Sequence, residues 1–250
     1  MKISACIVTF NEEEMVEDCL KSILWADEII VLDGYSTDRT VEIARKYTDK
    51  IRLIKNQYNP EINKNICISQ TINDWVFVID ADERVSNNLS DEIMAISIVD
   101  ENVVGFEIPM KNFWKNKWLK HGGFYPKAHI RLFNKKYVCY KAETVHNGLI
   151  INGKIAKLTH HMLHYAFQDV FECIEKMNKY SEVESDNMLK IKVENYYVKM
   201  FVVPLKYFLK TFIIRKGYKD GFEGFAVSIL SVITYFVFYL KYIDKVNNKR

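Results

Sequence analysis

Apolar positions in the first eighty residues fall into short continuous runs separated by mixed stretches. The runs are ISACIVTF (3–10), EIIVLD (28–33), IRLIK (51–55) and WVFVID (75–80), rich in β-branched residues and bounded by polar turns, which predicts strands. The mixed stretches at 12–24, from Arg39 through VEIARKYTDK, and from Asn59-Pro60 to about Thr71 predict helices. Four strands alternating with three helices imply a parallel sheet covered on both faces. Asn11 with Glu14 three positions on predicts a reciprocal cap for the first helix, and Thr37 or Asp38 a cap for the second. Beyond a helix at about 89–99 the runs shorten and partly alternate: GFEIPMKNFW (105–114), AHIRLF (128–133) and YVCYKAETVHNGLI (137–150) predict an antiparallel extension of the sheet. Residues 168–195 read as helix, and 196–250 as helix broken at Pro204 and Gly217. The segments 1–100, 101–195 and 196–250 are thus expected to be two halves of one α/β domain and a helical extension.

Composition narrows the class. At 49% hydrophobic and 27% charged, the 250 residues exclude disorder, collagen and a disulfide miniprotein. The five cysteines are odd in number, widely spread and without CxxC or metal-ligand spacing, which fits a reduced cytoplasmic protein. The N-terminal stretch MKISACIVTFNEEE has no long apolar core of a secretory leader. A net charge of +3 hides an asymmetry: residues 196–250 carry ten Lys/Arg against three Asp/Glu.

Ligands of open parallel sheets bind beyond the carboxyl ends of the strands, and the polar clusters Asn11-Glu12, 33–38 and 80–83 all fall there. Asp80 and Asp82, one residue apart in a turn, are suited to a hard divalent cation and its phosphate waters; the alternative is a pair of solvated, helix-capping acids. Asp33, directly at a strand end, suits hydrogen bonds from a nucleobase imide or a ribose hydroxyl. Neither a GxGxxG nor a GxxxxGK[ST] loop is present, which disfavours dinucleotide oxidoreductases and P-loop NTPases.

The segments IVTFNEEE, WADEIIVLDGYSTDRTVEIA and DWVFVIDADERV, in this order and spacing, resemble the nucleotide-sugar-binding half of family 2 glycosyltransferases with the GT-A fold, a Rossmann-like mixed sheet flanked by helices. GGFYPKAHIRLF, VHN and LTHHMLHY are similar to the lipopolysaccharide-core glucosyltransferase branch and related bacterial cell-surface polysaccharide enzymes. The resemblance covers about residues 1–185. It implies that Thr9, Phe10, Asn11, Glu12 and Asp33 hold the uridine of a UDP-sugar and that Asp38 supports the nucleotide pocket. It also implies that Asp80 and Asp82 bind the Mg²⁺ or Mn²⁺ on the diphosphate, with Ala81 between them in the cofactor pocket. Such an enzyme would invert the sugar, most readily glucose, onto a cell-surface glycan or glycolipid, with a general base taking the acceptor proton. Relatives often read Val-His-Glu where this chain has Val145-His146-Asn147, and Asn147 cannot be that base. Glu143, on the same face of an extended segment, is the first candidate and His146 the second.

Among His160, His161 and His164, His164 is placed near the diphosphate or the metal; no nearby Cys or paired acid completes a zinc site. Arg131 is a candidate partner for the diphosphate or an anionic acceptor, with a structural carboxylate as the alternative. Trp114, Trp118, His121, Phe124 and Tyr125 are candidate sugar-stacking walls, or core. The uncharged run 225–240, sixteen residues with basic and aromatic flanks, is short for a bilayer span and fits a helix lying on the anionic inner membrane face. A buried helix pair or a homodimer contact is the alternative. No nucleic-acid partner is expected. Two rivals to the transferase stay open: a nucleotidyltransferase, which would want a basic triphosphate loop not visible here, and a catalytically inactive membrane scaffold or glycan-binding subunit, motivated by Asn147.

Overall fold

A computed structural model describes residues 1–55, 60–96, 100, 102–141 and 148–248. The chain divides into two compact units, Met1–Met110 with Ala128–His164, and Lys111–Lys127 with Tyr165–Arg250.

In the first unit the expected strands form as β1 (Ile3–Thr9), β2 (Glu28–Asp33), β3 (Ile51–Leu53) and β4 (Trp75–Asp80). They alternate with helices α1 (Val16–Ser22), α2 (Thr40–Ala44) and α3 (Pro60–Ser69). The four strands lie parallel in the order β3-β2-β1-β4. Alternate side chains of β1 serve opposite faces. Ile3, Ala5 and Ile7 pack with Val16, Cys19 and Leu20 of α1, while Cys6 joins Ile30, Leu32, Val76 and Val78 beneath Cys67 and Ile68 of α3. This two-faced burial explains the uninterrupted apolar runs. Register sets the functional edge, because Thr9 lies opposite Asp33 and Val8 opposite Asp80. The three strand ends therefore meet at one rim.

The sheet continues through β8 (Lys127–Asn134), antiparallel to β4, and then β6 (Val103–Trp114), β12 (Met162–Phe167) and β5 (Glu83–Val85). The expected antiparallel extension is accordingly mixed, since β11 (Lys154–Lys157) runs parallel to β6. β9 (Val138–Tyr140) and β10 (Leu149–Ile151) form a separate two-stranded ribbon. Helix α4 (Asn87–Met94) starts earlier than its sequence suggests because the Ser86 hydroxyl caps it, accepting from Leu89 N.

The reciprocal Asn11/Glu14 cap does not form. Helix α1 begins at Val16 without a side-chain cap, and Asn11 adopts φ 56, a left-handed conformation that Asn tolerates. Its side-chain oxygen instead accepts from Thr37 N at 2.8 Å, so it ties two loops together.

In the second unit, β7 (Lys117–Trp118) folds back on the end of β6, and three helices follow: α5 (Val170–Ile191), α6 (Tyr196–Phe208) and α7 (Gly221–Asn247). The expected break at Pro204 is absent; α6 carries Pro204 as a buried residue, and the chain turns instead through a π-helical turn at Leu209–Ile214 and a left-handed Lys216. Met188, Met200, Tyr239 and Tyr242 form the core between α5, α6 and α7. A second cluster joins Val227 of α7 to Trp114 and Leu119. The 31-residue helical stretch Gly217–Asn247 is long and apolar enough to cross a membrane, a criterion that core helices of soluble proteins also meet; 22% of its most apolar window is buried.

Candidate active site at the carboxyl edge of the parallel strands

The loops after β1 and β2 are stitched together by polar side chains from both. Thr9 Oγ1 donates to Asp33 Oδ2 at 2.8 Å, and Ser36 donates to the same carboxylate from its backbone N (2.7 Å) and its hydroxyl (2.6 Å). Asp33 is fully buried, so its carboxylate acts within the protein as the organiser of this turn. Asn11 N donates to Ser36 Oγ and Glu12 N to Thr40 Oγ1, at 2.8 and 2.7 Å. Asp38 accepts from Glu13 N at 3.1 Å and from Thr40 N at 2.9 Å, although the N-cap position of α2 is Arg39 and carries no side-chain cap. Burial pushes the Asp38 carboxyl up, but the Thr40 hydroxyl and the backbone N–H donors outweigh it and hold the group below its ordinary value. Phe10 and Tyr35, 42% and 59% exposed, are left as aromatic surface on the two loops.

The third segment, after β4, centres on a buried ion network. Asp80 accepts from Lys64 Nζ at 2.7 Å and from Arg131 Nη2 at 2.9 Å, and Arg131 also pairs with Glu83. Glu83 in turn accepts from Asp80 N at 2.9 Å. Burial pushes the Asp80 carboxyl up, yet the two cations beside it hold it far below the carboxylate range. Glu83 shifts the other way, raised chiefly by its own burial despite Arg131. Arg84 pins the turn from beneath, donating to the carbonyls of Ala81 (2.7 Å), Glu83 (2.8 Å) and Met15 (2.6 Å). Ala81 is buried in this turn.

Asp82 lies 3.4 Å from His164 Nε2, because β12 pairs with β5 and sets His164 opposite Glu83. Burial opposes the charge on His164, but Asp82 and Glu83 together raise its pKa. His160 is held by Glu92, 3.0 Å from its Nδ1, and His161 gives its carbonyl to Ser86. Of the three histidines, His164 is the one brought to the Asp82 turn. Among the described residues no three His, Cys, Asp or Glu side chains gather as a ready metal cage. The Asp82 carboxylate is a hard oxygen donor of the kind Mg²⁺ or Mn²⁺ binds together with water and phosphate oxygens, and the His164 imidazole stands beside it. Asp80 is engaged by Lys64 and Arg131. Arg131 pairs with both carboxylates of this turn, Asp80 and Glu83. Glu143 and His146 lie outside the described residues.

Lys64 was not singled out from sequence. Its signal was a lysine in the stripe with Cys67 and Ile68 on the buried side of α3, where a charge requires an acid partner. Tyr140, whose ring centroid lies 5.6 Å from Lys64 Nζ, and Asn65, which exchanges hydrogen bonds with the Tyr140 backbone, were likewise missed.

Residues 4–149, more than half of the chain, match the family model described as glycosyl transferase family 2. The chain belongs to this family. An uncharacterised glycosyltransferase of Rickettsia conorii is 33% identical over 251 residues, spanning 94% of this chain and 88% of the relative. The lipopolysaccharide core biosynthesis glycosyltransferase LpsC of Rhizobium meliloti is 25% identical over 243 residues, spanning 95% and 90%. Among solved structures, the mannosyltransferase PcManGT of Pyrobaculum calidifontis, determined with GDP-Man and Mn²⁺, superposes with a TM-score of 0.56 at 10% identity, covering 97% of this chain and 87% of its own. That likeness concerns the fold. In this glycosyltransferase the stitched loops after β1 and β2 and the turn after β4 are the candidate active site.

Proposed function

We propose that this glycosyltransferase moves a hexose, with glucose the first candidate, from a UDP-sugar to a cell-surface glycan or glycolipid, with inversion and with a divalent cation. The observation that carries the reading is the convergence of Thr9, Asp33 and Asp80 on one sheet edge, with Asp82 and His164 beside them. LpsC, similar over most of its length, is named for lipopolysaccharide core synthesis, which favours this acceptor class. The Asn11–Asp38 loop pair would hold the nucleotide, with Phe10 and Tyr35 as exposed rings beside it. Asp82 and His164 would hold the cation, which when bound would neutralise charge developing on the departing nucleotide. Lys64 and Arg131 keep Asp80 ionised and fix the turn that positions Asp82. Glu143 is the proposed base and His146 the second candidate. Glu143→Gln should lower transfer by about 10²–10⁴-fold with UDP-sugar affinity unchanged, and retention of a third of the rate would move the role to His146.

Thermal denaturation with a panel of nucleotide sugars tests the donor. The true donor at 100 times its Kd stabilises by about 2.7 kcal/mol, and no response to any UDP-sugar would refute the reading.

We further propose that residues 196–250 hold the enzyme on the cytoplasmic face of the membrane. Ile214 and Phe222, each 73% exposed, lie among the cations Lys210, Arg215, Lys216 and Lys219. Full-length protein should sediment with anionic vesicles and be partly released by salt; protein that stays in solution with such vesicles would favour a packed helix pair or a dimer contact.

A further inference from the structure

The loop 111–127 of the second unit holds five lysines and no acid among five aromatic residues. Lys111 and Lys120 both place Nζ over the Trp118 ring, 4.7 and 4.6 Å from its centroid, and Tyr125 meets the same ring edge-on at 5.2 Å. The Trp118 Nε1 donor is buried and has no hydrogen-bond partner among the described residues. Lys127 stands 5.6 Å from the centroid of Phe124. Arg215 lies against the same loop: its guanidinium packs over Gly123, at φ 91, and Gly122 N donates to Arg215 O at 2.9 Å.

Among the described residues none of Lys111, Lys120, Lys127 or Arg215 forms an ion pair. Loss of water around Lys127 and the like charge of Arg215 together hold its ammonium below its ordinary value. The acid on the adjoining turn, Asp220, is committed at both oxygens to His121, which donates from its backbone N at 2.7 Å and approaches with Nδ1 at 2.7 Å. Cations grouped around an aromatic face, with the local carboxylate engaged elsewhere, leave positive charge that an incoming anion would balance. Lysines and arginine recognise phosphate or carboxylate, and the aromatic rings beside them supply large apolar contact area.

We propose that this loop is a binding site for an anionic saccharide, a sugar ring carrying a phosphate or carboxylate, with Lys120, Lys127 and Arg215 as its charge contacts beside the loop's aromatic rings. The inference rests on the transferase reading only in taking that saccharide to be the acceptor.

Calorimetry on the full-length protein tests it with glucose 6-phosphate, glucuronate, methyl glucoside and inorganic phosphate as probes. Glucose 6-phosphate or glucuronate should bind at least about tenfold more tightly than methyl glucoside and than inorganic phosphate, as expected for a charge-assisted contact added to contact with the sugar ring. The exposed-site variant K120Q/K127Q should lose about tenfold or more of that affinity while its UDP affinity stays within about twofold. Equal affinity for the charged and neutral sugars, equal affinity for inorganic phosphate alone, or an unchanged K120Q/K127Q would overturn the proposal. So would a variant that loses binding to phosphatidylglycerol vesicles but keeps glucose 6-phosphate, since the cations would then serve a lipid surface. A protein that binds glucose 6-phosphate but no UDP contradicts the donor reading alone; one that binds UDP but no charged sugar contradicts this inference alone.

Discussion

The rim of the first unit and the loop 111–127 of the second treat charge in opposite ways. At the rim the ions of the turn after β4 have their counter-charges: Asp80 faces Lys64 and Arg131, and Glu83 faces Arg131. In the loop the cations gather on aromatic rings instead, and the neighbouring acid is bound to His121. A compensated network of buried ions holds a turn in one geometry, whereas uncompensated cations at a surface keep their charge available to a ligand. The first arrangement is paid for in stability when a partner is removed, and the second is not.

The largest effect is therefore expected at Arg131. Arg131→Met leaves Glu83 buried without its cation, and unfolding by urea should show a loss of about 3–5 kcal/mol; adding Glu83→Gln should recover part of it. A single variant within 1 kcal/mol of the parent, on the same order as an exposed pair, would remove the contrast. Next comes Asp33, whose carboxylate gathers Thr9 and Ser36 into the turn proposed to hold the nucleotide. Asp33→Asn should weaken UDP binding by about 1.5–3 kcal/mol in calorimetry; unchanged affinity would confine Asp33 to a structural part.

Glu28 offers a pH test away from the active site. Burial pushes its carboxyl up, but Lys50 at 2.7 Å, the Ser4 hydroxyl and Ile72 N at 3.0 Å outweigh it, and the group is held below its ordinary value. A depressed acid contributes stability that is fully present above its unfolded value, about 4.3, and is lost as pH falls through the folded value. Glu28→Gln should cost about 1 kcal/mol at neutral pH and flatten the fall of stability below about pH 4.3. A parallel acid limb in parent and variant would contradict this. The smallest effect belongs to Lys127. Lys127→Met should change stability by no more than about 0.5 kcal/mol, and a loss like that of Arg131→Met would show an ion partner there.

Much of the first unit was legible in the sequence, because strands buried on both faces leave continuous apolar runs and their ends are marked by polar turns. The resemblance carried by those turns pointed to the family that residues 4–149 establish. Less was legible where tertiary partners decide. Asn11 looked like a helix cap, but the donor it serves, Thr37 N, lies across the sheet edge on another loop. Strand β5 is a three-residue ERV segment that joins the sheet by pairing with β12, a non-local fact that brings His164 to Asp82. Pro204 reads as a helix break, yet α6 continues through it and turns later.

The central claim is that the Asp82 turn at the rim carries cation-dependent chemistry on a UDP-sugar. Release of UDP from UDP-glucose by the full-length protein, measured with Mn²⁺ and with chelator, in the parent and in Asp82→Asn, tests it most directly. Turnover that needs the cation and falls at least about a hundredfold in Asp82→Asn, with the melting temperature unchanged, is the predicted result. Equal turnover by parent and variant at limiting cation would contradict it.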